Sequence, residues 1–265
     1  MTHKFHLSGL VVAHNEEDVI EDALKSLSFC DEIVVCLDRC SDGTKVIAEK
    51  YADTVLEGGL AEGWESEGKR RNSGIEACEG KWIFELDADE RATPELAASI
   101  GHITHTVTEE GTYLVGVDNY IGDRLVRYGW AGSFGTTAVA RLFTKGSKQW
   151  GDQKVHPTVE MGKKLGRVEG QIVHLVDKDI DDMIDRLQRY TTARAADMAA
   201  FGNLPPFRTT LRKGFTRFYK SYWGRKGYKE GRMGFLLALM AFLFMVLSHI
   251  KAEKDILEPV KEKIS

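Results

Sequence analysis

A chain of 265 residues with 43% hydrophobic and 29% charged residues can bury a sizeable core, and it has no low-complexity tract, which excludes a disordered or fibrous protein. Its net charge of −4 argues against a nucleic-acid binder held by bulk electrostatics, so no nucleic-acid partner is expected. The four cysteines, Cys30, Cys36, Cys40 and Cys78, fit neither a zinc-knuckle nor a CxxC spacing and read as reduced thiols, while Met1 to Ser8 lacks the apolar stretch of a secretory signal; a catalytic part inside the cell is expected.

In chain order, the apolar run Leu7 to Ala13 ends in His14-Asn15-Glu16-Glu17 before an amphipathic stretch, Asp18 to Leu27, a strand, loop and helix. Glu32 to Leu37 reads as a buried strand followed by Asp38 and a helical pattern from Thr44 to Tyr51. Thr54 to Glu57, a helix over Glu67 to Cys78, and a strand over Trp82 to Leu86 complete the series, which ends in Asp87-Ala88-Asp89. Strands alternating with helices of this length predict an α/β fold with a mostly parallel central sheet flanked by helices. Such sheets bind ligands beyond the carboxyl ends of their strands, where Asn15-Glu16, Asp38 and Asp87-Ala88-Asp89 all fall.

From Gly111 to Val176 the pattern becomes short β-prone runs (Tyr113 to Tyr120, Leu125 to Tyr128, Ala138 to Phe143, Val168 to His174), predicting a mixed or antiparallel half. Ile180 to Phe201 reads as a long helix with Asp179 as its N-cap, stopped by Gly202 to Pro206. These changes divide the chain into an α/β domain over 1–178, with a parallel half at 1–110 and a mixed half at 111–178, and a helical region over 179–265. Within the latter, Arg208 to Arg232 carries nine Lys or Arg against one Glu, interleaved with aromatics, and Met233 to Ile250 then has no charged residue. A basic, aromatic segment leading into an apolar helix predicts attachment to an anionic membrane surface, peripheral or monotopic; a single span and a buried core helix are the competing readings.

Two carboxylates flanking a small residue at the end of a buried strand suit a hard cation, Mg²⁺ or Mn²⁺, which takes few protein ligands and fills the rest of its shell from phosphate and water. Such an ion neutralises a departing diphosphate. On this feature alone, an acidic turn capping the helix that begins near Pro94 competes. Asp38 to Gly43 with Glu49 imitates a calcium loop but places Cys40 where an oxygen ligand is needed. The DxD of an aspartyl-phosphate phosphatase would need Thr or Val at Arg91, and the loop after the first strand lacks the glycines of a dinucleotide site. Arg70, Arg71 and Arg141 suit pairing with a diphosphate or a solvated surface, and Trp130 and Trp150 suit sugar stacking or packing.

Taken together, Val11-Val12-Ala13-His14-Asn15-Glu16, Asp38 with Ser41-Asp42-Gly43-Thr44, and Leu86-Asp87-Ala88-Asp89-Glu90 stand in an order and spacing that resembles family 2 glycosyltransferases, and more narrowly the β1,4-glucosyltransferase group of lipopolysaccharide core biosynthesis. Arg70-Arg71-Asn72, Arg141-Leu142-Phe143, Val155-His156, His174, Arg189-Tyr190 and the basic-aromatic tail extend the likeness through nearly the whole chain. The resemblance implies a GT-A, nucleotide-diphospho-sugar transferase fold with a membrane-associating C-terminal extension. It implies an inverting transfer of a hexose, glucose as the first expectation, from a UDP-sugar to a lipopolysaccharide-core or lipid-linked saccharide at the cytoplasmic face of a bacterial inner membrane. Asn15, Glu16, Asp38, Arg70, Arg71, Asp87 and Arg141 would bind the donor. Asp87 and Asp89, with His156 or His174, would hold Mg²⁺ or Mn²⁺.

An inverting transfer also needs a carboxylate to take the proton of the attacking hydroxyl. Where the family commonly reads Val-His-Glu, Pro157 follows His156, so the base is sought instead at Asp152, with Glu160 behind it. A membrane-bound sugar-binding or scaffold protein that kept the fold, and a sugar nucleotidyltransferase, are the rival functions. The second would favour a glycine-rich loop after the first strand.

Overall fold

The computed structural model describes residues 5–59, 64, 66–130, 135–152, 158–200, 202 and 204–257. These fall into two compact units, Met1–Asp118 with Ala138–His174, and Asn119–Thr137 with Leu175–Ser265.

In the first unit, four strands run parallel: β1 (Phe5–Ala13), β2 (Glu32–Asp38), β3 (Thr54–Gly58) and β4 (Gly80–Asp87), connected by helices α1 (Ile20–Ser26), α2 (Thr44–Tyr51) and α3 (Glu67–Ala77). Continuous apolar runs form these strands because both sheet faces are covered. Alternate residues divide between two cores. Val11, Val35, Trp82, Phe84 and Leu86 pack with Ile20, Leu24 and Leu27, whereas Leu10, Val34, Cys36 and Ile83 pack with Ile75 of α3. Each fully buried Val, Leu, Ile or Phe side chain contributes about 1.5–3 kcal/mol. Gly74 sets how closely α3 approaches, since a Cβ there would lie 2.6 Å from Leu10 Cδ1 and 2.8 Å from Cys36 Sγ. The Ser66 hydroxyl caps α3 by accepting from the Lys69 N–H at 3.2 Å.

Beyond β4 come β5 (Glu90–Ala92), helix α4 (Pro94–Thr106), β6 (Thr112–Ile121), β7 (Arg124–Val126) and β8 (Ala138–Thr144). The short strands β9 (Lys148–Trp150) and β10 (Val159–Met161) precede the long β11 (Lys164–Asp177). Along the sheet the order is β3-β2-β1-β4-β8-β6-β11-β5. The α/β class, the parallel first half and the antiparallel second half match the sequence reading. β8 pairs antiparallel with β4 and β6, and β5 with β11. β5, β9 and β10 were not anticipated: three residues give too little alternation to register. β9 and β10 form a separate antiparallel ribbon with Glu160 opposite Gln149.

In the second unit, the Asn119–Ile121 end of β6 pairs with β7. Helices α5 (Ile180–Ala200), α6 (Phe207–Tyr219) and α7 (Arg232–Leu257) follow. Asp179 caps α5 as expected, its Oδ1 accepting from the Asp182 N–H at 2.8 Å. From Arg232 to Lys254, α7 is long and apolar enough to cross a membrane, yet half of its most apolar window is buried within the protein. Leu237, Met240, Phe244 and Met245 pack with Met183 and Leu187 of α5. Polar contacts accompany that packing: Lys251 donates to the Thr191 and Thr192 hydroxyls of α5 at 2.8 Å, and buried His249 meets Thr210 of α6 at 2.9 Å.

At the head of α5, the Arg186 guanidinium donates to both oxygens of buried Asp177 at 2.7 Å each. Removing one member of such a pair leaves the other charge uncompensated. Asp177→Ala is therefore expected to destabilise the protein by about 3–5 kcal/mol, read from urea unfolding midpoints. A loss under about 1 kcal/mol would mean that this pair does not secure α5.

Candidate active site

Three loops meet at the carboxyl edge of the parallel strands. After β1, Asn15 adopts a left-handed backbone (φ 55°) and its Oδ1 accepts from the Ser41 N–H at 2.8 Å. Glu16 N–H donates to Thr44 Oγ1 at 2.8 Å and Glu17 N–H to Asp42 Oδ2 at 3.2 Å. Glu17 returns the contact by accepting from the Gly43 N–H at 2.6 Å. The loops after β1 and β2 are thus latched together. Burial, reinforced by the Asp89 and Asp42 carboxylates, raises the pKa of Glu16.

After β2, Asp38 is buried and accepts from Arg39 Nε and Nη2 at 2.9 Å each, with Arg70 Nη1 2.8 Å away. Burial opposes its charge, but these two guanidiniums hold its carboxyl below the usual range. Arg39, like Asn15, is left-handed, with φ 52°.

At the end of β4 a chain of charges runs inward. Asp87 accepts from Arg71 Nη2 at 3.0 Å and from Arg141 of β8. Arg71 also reaches Glu67 at 2.9 Å and the fully buried Glu85. Glu85 pairs in addition with Lys148 of β9, and Arg141 with Glu90 of β5 at 2.8 Å. Three cations, buried Arg141 and Lys148 and the largely covered Arg71, thereby balance Glu85, Asp87 and Glu90. Burial alone would raise Asp87, but Arg141 and Arg71 hold it far below the carboxylate range. Burial raises Glu90 despite Arg141, helped by the neighbouring Asp87 charge. Burial also acts against Glu85, yet Arg71 and Lys148 bring it down to about 2.

Asp89 points to a different partner. Its Oδ2 lies 3.3 Å from Nε2 of His174 on β11, which the antiparallel register sets opposite Glu90. Burial opposes a charge on His174, but the Asp89 hydrogen bond and surrounding carboxylates raise its pKa above 6.5. Among the described residues no three His, Cys, Asp or Glu side chains converge into a ready-made metal cluster. A half-exposed carboxylate beside one imidazole fits a Mn²⁺ or Mg²⁺ ion that draws its remaining ligands from diphosphate and water, since those ions keep few protein ligands. Asp87, with both oxygens turned to arginines, fits a positioning role better than direct ligation.

Arg71, Asp87, Arg141, Lys148 and Trp150 line a cavity of about 380 Å³. Arg141 Nε and Trp150 Nε1 are buried donors without an acceptor among the described residues. Trp150 stacks under Arg71, whose guanidinium carbon is 4.9 Å from the ring centroid. Its backbone is pinned to α3, exchanging hydrogen bonds of 2.8 and 3.0 Å with the Asn72 amide. Asp152 and Glu160, both exposed, border a smaller cavity at the β9–β10 ribbon. His156 lies outside the described residues, and Trp130 belongs to the core of the second unit. Glu85, Glu90, Lys148 and Arg39 were missed by sequence reasoning. A signal for one existed: a glutamate inside Trp82-Ile83-Phe84-Glu85-Leu86 needs a buried partner.

Because the folded pKa of Glu85 lies below its unfolded value of 4.5, the stability it contributes is complete above that value and disappears as pH falls toward 2. Unfolding free energies measured between pH 6 and 2 should contain an acid loss of about 3 kcal/mol from this group. Glu85→Gln should remove that part of the slope, and an unchanged slope would contradict the assignment.

Residues 8–104 match the model of glycosyl transferase family 2. The lipopolysaccharide core biosynthesis glycosyltransferase LpsC of Rhizobium meliloti (strain 1021) is 24% identical over 261 residues, spanning 95% of this chain and 93% of that protein. An uncharacterized glycosyltransferase of Rickettsia bellii (strain RML369-C) is 29% identical over 98 residues, 37% of this chain and 32% of that one. Among solved structures, S. aureus TarS 1–349 with UDP-GlcNAc aligns over 94% of this chain and 88% of its own at 17% identity and a TM-score of 0.48. Glucosyl-3-phosphoglycerate synthase from Mycobacterium tuberculosis, in complex with Mn²⁺, UDP and phosphoglyceric acid, aligns over 44% of both chains at 21% identity and a TM-score of 0.34.

Proposed function

On the match of residues 8–104 to the glycosyl transferase family 2 model, we propose that the chain is a metal-dependent, inverting hexosyltransferase that takes a hexose, with glucose as the first candidate, from a UDP-sugar. The acceptor in this reading is a lipopolysaccharide-core or lipid-linked saccharide, in keeping with the name of the LpsC relative. The observation that carries the reading is the divergence of the two carboxylates after β4. Asp87 is immobilised by Arg71 and Arg141, while Asp89 is left to His174.

In this mechanism, Asp38 accepts hydrogen bonds from the nucleoside, and the Asn15–Glu16 loop borders it. Asp89 and His174 would hold Mn²⁺ or Mg²⁺, which as a Lewis acid would offset the charge of the departing diphosphate. Arg141, whose Nε faces no acceptor among the described residues, is poised to donate to a phosphate or sugar oxygen. Arg70 and Arg71, expected at the diphosphate, are engaged by Asp38 and by Glu67, Glu85 and Asp87, so their first task is to fix those carboxylates. Asp152 is the proposed base, with Glu160 next to it on the ribbon rim.

Asp89→Ala should lower kcat/KM for transfer at least 10³-fold, and EDTA should abolish activity that Mn²⁺ restores. Metal-independent transfer insensitive to Asp89→Ala would refute the metal role. Asp152→Asn should reduce kcat by 10²- to 10⁴-fold with unchanged UDP affinity; if only Glu160→Gln does so, the base is Glu160.

We further propose that the second unit lies on the cytoplasmic leaflet without crossing it. Phe215, Phe218, Tyr219, Trp223, Leu239 and Phe242 line an apolar cavity of about 570 Å³, and Phe215, Tyr219 and Trp223 are more than half exposed. Exposed Arg212, Lys213, Lys220 and Lys226 belong to the same segment, a pattern suited to an anionic interface. A span by α7 would carry the polar contacts of α5 into hydrocarbon, at a cost of several kcal/mol. Replacing Phe215, Tyr219 and Trp223 together with Ser should abolish flotation with vesicles rich in phosphatidylglycerol. Persistence of the triple variant in the membrane fraction after alkaline washing would favour a span.

A further inference from the structure

A second cavity, of about 400 Å³, lies wholly in the unit Asn119–Thr137 with Leu175–Ser265 and has no part in the chemistry above. Arg127, Tyr128, Gly129, Trp130, Thr136 and Arg225 are among its lining residues. Its size is that of a small-molecule site. Among the described residues no acidic side chain lines it, and neither Arg127 nor Arg225 forms an ion pair with a carboxylate. The nearby Glu230 is spent elsewhere. It accepts from the backbone N–H groups of Arg127 and Tyr128 at 2.9 and 3.1 Å, while the Arg124 guanidinium donates to its carbonyl at 2.9 Å.

The walls are fixed before any ligand arrives. Arg225 Nη1 donates to the Trp130 carbonyl at 2.7 Å, and its own carbonyl accepts from the Gly129 N–H at 3.0 Å. Ser221 Oγ donates to the Gly129 carbonyl at 2.5 Å, and Trp130 Nε1 to the Val126 carbonyl at 2.6 Å. Gly129 is left-handed (φ +88°), and a Cβ there would stand 3.1 Å from Gly227 Cα, so only glycine permits this approach of the 127–130 loop to the 221–230 segment. Two guanidiniums held or presented over a pocket with hydroxyls and without carboxylates form a receptor for a phosphate group, because planar N–H forks match phosphate oxygens in pairs.

We infer that this cavity binds a phosphomonoester on the saccharide acceptor, with Arg127 and Arg225 as its ligands. The assignment to the acceptor rests on the proposed transferase reading and on position. Arg225 sits in the same basic, aromatic segment that supplies Tyr219 and Trp223 to the proposed membrane face, so the pocket is built from the surface a lipid-linked saccharide would approach. Recognition of the phosphate makes the enzyme selective for acceptors that have already been phosphorylated, which requires a kinase-type reaction earlier in the sequence of steps.

Calorimetric titration of the full chain, with UDP and Mn²⁺ present in excess, separates the sources of phosphate. Glucose 6-phosphate is expected to bind saturably, glucose not at all, and dihexanoyl phosphatidylglycerol at least tenfold more weakly than glucose 6-phosphate. Arg127→Ala, which leaves the backbone bond to Glu230 in place, should weaken glucose 6-phosphate at least tenfold, and Arg127→Lys should recover part of that loss. Equal binding by Arg127→Ala, or no binding of glucose 6-phosphate to the unaltered chain, would overturn the inference. A preference for phosphatidylglycerol would overturn the acceptor assignment in favour of a bilayer headgroup. UDP affinity is read in a separate titration, so its failure would count against the transferase reading and not against the pocket.

Discussion

Charge buried beneath the end of β4 is the constraint on which the candidate site depends. Glu85 points into a region with no solvent exposure, and a carboxylate there is tolerable only with full compensation. Arg71 from α3 and Lys148 from β9 supply it, and Arg71 and Arg141 together extend the network to Asp87 and Glu90. A helix, the β9–β10 ribbon, an antiparallel strand and the short β5 are therefore tied to one another through ionic contacts below the surface. The network explains why two carboxylates separated by a single alanine behave so differently. One is the outermost member of a balanced lattice, and the other escapes it.

Much of the first unit was legible from the amino-acid pattern because its elements obey simple periodicities. Strands such as Glu32–Asp38 are buried on both faces and read as unbroken apolar runs, and α2 matches its sequence expectation to the residue. The convergence of Asn15, Asp38 and Asp87 at one edge followed from the parallel order alone. What the pattern could not reveal was partnership between residues far apart in the chain. Nothing local to Arg141 says that it will reach Asp87 across 54 positions, and nothing near Asp89 selects His174. That pairing comes from the register of β5 against β11, and β5 is too short to leave a periodic trace.

The C-terminal helices illustrate a different limit. By composition α7 is long and apolar enough to cross a membrane, and by packing half of its most apolar window is buried within the protein. Hydropathy cannot separate these roles because both reward the same residues. The polar exceptions are more informative: His249 and Ser248 are buried and hydrogen-bonded to Thr210 and to the Phe244 carbonyl, which identifies one face of the helix as protein-facing. Phe242 and Phe235 of the same helix meet Phe215 and Phe218 of α6, with ring centroids 4.9 and 5.8 Å apart.

The latch between the loops after β1 and β2 has a thermodynamic side. Asn15 and Arg39 hold left-handed backbone conformations that non-glycine residues rarely occupy, and such geometry persists because hydrogen bonds from Ser41 N–H to Asn15, from Glu16 N–H to Thr44 and from Gly43 N–H to Glu17 over-determine the paired loops. The ordering entropy of these loops is met during folding, once, and is not incurred again when a ligand arrives at this edge of the sheet. A site prepared in this way converts more of its contact energy into affinity, and its occupancy responds to ligand concentration without a preceding rearrangement of the loops.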